Sequence, residues 1–174
     1  MNDDSSLAGL FSDNYLAKLA ATSGLSRDLL AEIQLAKFSI EDHERAVVFY
    51  HGVWSGPSVA PLRLLCSAMA TARGQFPILL VNADSLDVNN RTEIAKAKEL
   101  FGPFIGAWGE TCWIKNGAII AQDILGRLGP MHESSKDFSS TLKQGKRLQG
   151  DEQLLRTLDE LKRHIVQRIE LVIS

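Results

Sequence analysis

RAVVFYHGVWSGPS, residues 45–58, carries the chain from an apolar run through a glycine-containing turn to a proline. Val47, Val48, Phe49 and Tyr50 form a short apolar run of β-branched and aromatic residues, the pattern of a strand buried on both faces. Gly52 and Gly56 then loosen the backbone, and Pro57 suits the first turn of a helix, where a missing N–H breaks no hydrogen bond. Strand, turn and helix follow in that order. Leu62, Leu65, Met69 and Ala72 continue at helical spacing to about Arg73, and Gly74 closes the helix. Ile78-Leu79-Leu80-Val81 is a second buried strand, and two such strands separated by a helix imply a parallel, right-handed crossover.

Further out, Asn90 and Glu93 have the spacing of a capping box ahead of Ile94, Ala97, Leu100 and Phe101, a helix closed by Gly102-Pro103. Asn116-Gly117, set between ETCWIK and AII, is a strong hairpin signal. From Gly150, Leu154, Leu158, Leu161, Ile165, Ile169 and Val172 repeat at three and four and predict a C-terminal helix covering the sheet. Its Lys162, Arg163 and Arg168 are expected on a solvated face. Toward the N-terminus, Leu16, Leu19 and Ala20 predict a helix ended by Gly24. A second is expected from Ser26, with Leu29, Leu30, Ile33 and Ala36 on one face. Residues 1–25 thus read as an arm with a helix, and 26–174 as one domain with a polar insertion at about 126–149. That insertion, with Met131, Phe138 and Leu142 among serines and basic residues, is a disordered linker or a partner-binding segment.

A chain of 174 residues suits one core, and a net charge of −2 gives no reason to expect nucleic acid or an anionic membrane as partner. The acidic start MNDDSSLAGLF is unlike a signal peptide, and no apolar run approaches spanning length, so a cytoplasmic protein is expected. The 2 cysteines, Cys66 and Cys112, have no CxxC spacing and read as buried core thiols. His43, His132 and His164 are scattered without metal-ligand spacing, so no metal is expected; nor is a cofactor.

Trp54-Ser55-Gly56-Pro57-Ser58 resembles the thioredoxin family's W-C-G-P-C motif with both cysteines written as serine. Asn82-Ala83-Asp84 and the Lys115-Asn116-Gly117 turn fall in the family's order, and the likeness spans roughly residues 27–125 plus the last helix. It implies an α/β, thioredoxin-like fold: a mixed central sheet with helices on both faces, here with extra N-terminal helices. In that register Glu110 replaces the family's cis-proline. Phe49 stands where redox-active members often bury an aspartate, and Pro61 lies closer to the motif than the family's kink proline. A non-proline cis bond costs about 3–4 kcal/mol, so Gly109–Glu110 is expected to be trans.

The resemblance implies two functions. With Ser55 and Ser58 as degenerate redox positions, the first is a redox-inactive protein acting by protein or peptide binding through Trp54, Gly56, Pro57, Glu110 and Thr111. It would serve as an accessory chaperone, an adaptor or an immunity-type protein. The second is a thiol-disulfide oxidoreductase whose cysteines at 55 and 58 have been replaced by serine. Phe49 and Glu110 favour the first, since a change made only to trap an intermediate would leave both alone. A hydrolytic serine at 55 or 58, with His51 as base, lacks a G-x-S-x-G elbow and is disfavoured.

Overall fold

The quoted stretch folds as a strand, Arg45–His51, running into a helix, Gly56–Ala70, in the computed structural model. The structure describes residues 10–103, 105–128 and 150–174, with backbone alone for 150–157. The insertion expected at about 126–149 therefore lies, beyond residue 128, outside the described residues. In chain order the strands are β1 (Leu30–Glu32), β2 (Arg45–His51), β3 (Ile78–Asn82), β4 (Glu110–Lys115) and β5 (Ala118–Ile124). The helices are α1 (Asp13–Ser23), α2 (Gly56–Ala70), α3 (Arg91–Phe101), α4 (Leu125–Leu128) and α5 (Gly150–Ile173).

One 5-stranded mixed sheet has the order β1-β3-β2-β4-β5, so the fold is α/β. β3 is parallel to β1 and β2, with Val47 opposite Ile78 and Phe49 opposite Leu80; β4 is antiparallel to β2 and to β5. Both central runs are buried throughout, as their unbroken apolar sequence predicts. Successive side chains of a strand point to opposite faces. Val47, Phe49, Ile78, Leu80 and Trp113 accordingly join α1, α2 and α5 in one core layer. Ala46, Val48, Tyr50, Leu79, Val81 and Cys112 join α3 in the other. Asn116 and Gly117, at φ 52° and 70°, make the turn between β4 and β5, the left-handed pair an Asn-Gly hairpin uses. The 2 thiols, Cys66 and Cys112, are buried, and burial pushes each up to about 12. Neither is available as a thiolate.

The structure corrects three expectations. The helix expected from Ser26 is replaced by a short 3₁₀ turn, Arg27–Leu29, and the edge strand β1. Leu29, Leu30 and Ile33 span about one helical turn, too short a run for period alone to decide, and pairing of Leu30 with Ile78 and of Glu32 with Leu80 takes the backbone instead. The capping box is half made. Asn90 accepts from Thr92 and Glu93 N–H, but the Glu93 carboxylate accepts from Asp87 N–H at 3.0 Å. Nor is Arg168 part of a solvated face. Its guanidinium forks onto Asp123 of β5, Nε to Oδ2 at 2.8 Å and Nη2 to Oδ1 at 3.0 Å, and with Leu161, Ile165, Ile169 and Val172 it seats α5 on the sheet. Among the described residues no helix is long and apolar enough to cross a membrane.

Candidate functional site

β2 ends at His51, and the chain turns through Gly52–Ser55, closed by Ser55 N–H donating to the Gly52 carbonyl at 2.9 Å. α2 starts at Gly56 with Pro57 in its first turn. This turn, the loop before β4 and the 3₁₀ turn Ala83–Ser85 after β3 meet at the carboxyl end of the parallel strands.

Trp54 is 64% exposed yet held in one orientation. Its indole Nε1 donates to Asp84 Oδ1 at 2.9 Å, and Asp84 is itself fixed by its N–H on the Asn82 side chain. One ring face lies on Gly52: a Cβ there would fall 2.9 Å from Trp54 Cε2. A side chain there would push the indole off this seat. The other face is open.

Neither serine is presented to solvent. Ser55 is buried, and its hydroxyl donates to the Ala107 carbonyl at 2.5 Å. Ser58 is fully buried beside His51, Oγ lying 2.9 Å from Nδ1, with the carbonyls of Gly52 and Ser55 at 3.0 and 3.1 Å. The ring's Nε2 meets the Tyr15 hydroxyl at 2.6 Å. Burial raises Tyr15's pKa, so it is a neutral donor at pH 7. A proton path in one direction satisfies every group: Tyr15 donates to Nε2, Nδ1–H donates to Ser58 Oγ, and Ser58 donates to a carbonyl that can only accept. His51 is then turned away from the role of base. Burial also pulls its pKa down to about 4, so the ring is neutral at pH 7.

Of the residues expected to bind a partner, the structure leaves Trp54 and Gly56 exposed and Pro57 half-buried, and buries Glu110 and Thr111. Glu110 accepts from Gly106 N–H at 2.6 Å and Trp108 N–H at 2.8 Å. It reaches the turn only through the loop it shapes, in which Ala107 sits at φ 55° and presents its carbonyl to Ser55. Thr111 donates to the Gly109 carbonyl. No peptide bond among the described residues is cis, so Gly109–Glu110 is trans. Phe49 is fully buried, its ring 6.2 Å from that of His51.

Sequence reasoning missed Tyr15 and Asp84 as members of this site. A lone tyrosine on an N-terminal helix carries no signal for a partner on β2. Asp84 was visible only as an acidic residue after the second strand. Among the described residues no cluster of three metal-ligating side chains occurs. No family model, curated protein or solved structure matches the chain.

Proposed function

We propose that this chain is a redox-inactive, thioredoxin-like protein that works by binding a protein or peptide over the Gly52–Ser58 turn. The strand order β1-β3-β2-β4-β5, with α2 rising from the turn after β2, supports the thioredoxin-like reading. One observation carries the function: Trp54 is large, exposed and pinned, while every hydroxyl of the turn is buried and committed to a carbonyl. A fixed aromatic surface favours association because little side-chain freedom is lost on binding. Accessory chaperone, adaptor and immunity-type protein all fit such a surface.

The competing reading, an oxidoreductase with serines in place of its cysteines, draws on the Ser55-Gly56-Pro57-Ser58 spacing at the start of α2. The burial of Ser55 weighs against it, because an attacking sulfur must be reached by its substrate. The binding reading is tested with the photo-crosslinking variant Trp54→p-benzoylphenylalanine, expressed in the native host beside the same replacement at Lys18 on the outer side of α1. A discrete protein adduct at position 54 alone is expected. Adducts equal at both positions, or none, overturn it.

A further inference from the structure

The open face of Trp54 does not stand alone. Asp84, which holds the indole, is followed by Ser85, and Ser85 lines a cleft of about 260 Å³ with Leu10, Glu32, Leu35, Val81, Leu86 and Glu93. Leu35, Val81 and Leu86 supply apolar wall, while Glu32 and Glu93 bring carboxylates to it. Each of these acids is held by backbone. Glu32 accepts from Phe11 N–H at 2.8 Å and from the Asn82 side chain, and Glu93 accepts from Asp87 N–H. Asp84, on the indole, and Asp87, whose N–H meets Glu93 at the cleft, are both exposed.

Four carboxylates therefore accompany a pinned indole and a mostly polar cleft with one apolar wall, and among the described residues none of them has a Lys, Arg or His within ion-pair distance. Lys96 of α3 is turned to the carbonyls of Ala36 and Phe38. Aromatic faces attract cations, and lysine and arginine carry apolar stems that such a wall covers while the charged head stays with the acids. An acidic partner would meet only repulsion here.

We infer that the occupant of this surface is an extended, basic peptide segment, one cationic side chain lying on the open face of Trp54 beside Asp84 and the next entering the cleft between Glu32 and Glu93. This rests on the binding reading above and names the chemistry of its partner. The indole and the cleft, linked through Asp84 and Ser85, each offer apolar surface for a stem and carboxylate for its positive end. A segment in extended conformation presents side chains at intervals that follow the surface from one to the other.

The test uses three heptapeptides of alternating glycine and arginine, glutamine or glutamate, titrated into the full-length protein at low and moderate salt. Binding is followed by the indole N–H resonance of Trp54, assigned by its loss in Trp54→Phe. The arginine peptide is expected to bind at least about tenfold more tightly than the glutamine peptide, with an advantage that shrinks as salt rises; the glutamate peptide leaves the resonance in place. Asp84→Asn keeps an acceptor for the indole but removes the charge, and is expected to weaken the arginine peptide about three- to tenfold. Equal binding of the arginine and glutamine peptides overturns the basic-segment inference and leaves the binding surface standing. If no peptide moves the resonance while the position-54 adduct persists, the inference fails alone; if the adduct is absent as well, both readings fail.

Discussion

The Tyr15 hydroxyl sits 2.6 Å from Nε2 of His51, so α1 is tied to the buried end of β2 by one hydrogen bond across 36 positions of sequence. Phe11 packs on both rings, with centroids at 5.7 and 5.4 Å. Tyr15→Phe keeps the ring and removes the donor, leaving Nε2 of a fully buried histidine without its partner. A buried polar group left unsatisfied costs about 1–3 kcal/mol, and chemical denaturation of Tyr15→Phe is expected to show a loss in that range with an unchanged m-value. A loss below measurement would mean that water replaces the hydroxyl.

The same histidine sets an acid limit on stability. Its folded pKa, about 4 because of burial, lies below the ordinary histidine value of 6.5 that the unfolded chain retains. Between those values the unfolded state binds the proton and the folded state does not, so stability is full above pH 6.5 and falls as the pH drops toward 4. At about 1.4 kcal/mol per pKa unit the loss amounts to roughly 3 kcal/mol. His51→Gln, which removes the titration, is expected to flatten this slope in urea melts at pH 7, 6, 5 and 4.5. A slope unchanged by the substitution would assign the acid sensitivity to another group.

Arg168→Ala is expected to loosen α5. Burial alone would raise the Asp123 pKa, but the Arg168 hydrogen bonds, the nearby His164, the Trp113 indole N–H and the Arg168 charge together outweigh it and hold this carboxylate below its usual value. Without Arg168, Asp123 keeps the Trp113 N–H at 2.8 Å and His164 Nε2 at 3.1 Å, a contact too poorly aligned for a good hydrogen bond. Removing one partner of a buried pair costs about 3–5 kcal/mol; with Arg168 partly exposed, the lower end or less applies. Arg168→Lys should rescue only in part, since an ammonium does not reproduce the bidentate fork. Thermal melts of the three proteins check the order wild type, lysine, alanine.

Much of this architecture was legible in the sequence because the central elements have signals that admit one reading. Val47–Tyr50 and Ile78–Val81 are apolar without interruption, and burial on both faces leaves no register in which they could be solvent-facing. Asn116-Gly117 names its own turn. β1 was not legible, since a 3-residue strand is specified by the neighbour it pairs with. The same limit hid Arg168 on Asp123 and Tyr15 on His51, which are 45 and 36 residues apart. The sequence showed the Trp54–Ser58 turn, but the commitment of its hydroxyls depends on carbonyls of Gly52, Ser55 and Ala107 that leave no mark in side-chain identity.

Gly126 is a second test of the site's frame. Its N–H donates to the Trp108 carbonyl at 2.8 Å, and a Cβ there would fall 2.2 Å from that oxygen and 2.3 Å from the Pro57 carbonyl. Both obstacles are backbone and cannot rotate away. Gly126→Ala is expected to destabilise by about 3 kcal/mol or more, beyond the usual range for overpacking by one methyl, and to displace the loop that receives Ser55. Increased hydrogen exchange at residues 105–109 measures that displacement, and exchange at wild-type rates would show that α4 moves instead.

Restoring the motif separates the two functional readings. Ser55→Cys/Ser58→Cys places two thiols at the spacing of a redox turn, at the start of α2 where the helix dipole favours a thiolate. The pair is expected to close its own disulfide but to reduce a protein substrate poorly. Position 55 is buried against Ala107, so an incoming disulfide cannot reach it without moving the 105–109 loop. Phe49 offers no carboxylate to move a proton from the second thiol, a contribution worth on the order of 10²-fold in rate. Glu110, anchored by two backbone N–H groups, places a carboxylate beneath the loop and opposes thiolate formation nearby. Insulin reduction at least about a hundredfold slower than by an ordinary thioredoxin is therefore expected. Turnover equal to such a thioredoxin would overturn the redox-inactive reading and establish that the serines alone separate this chain from an oxidoreductase.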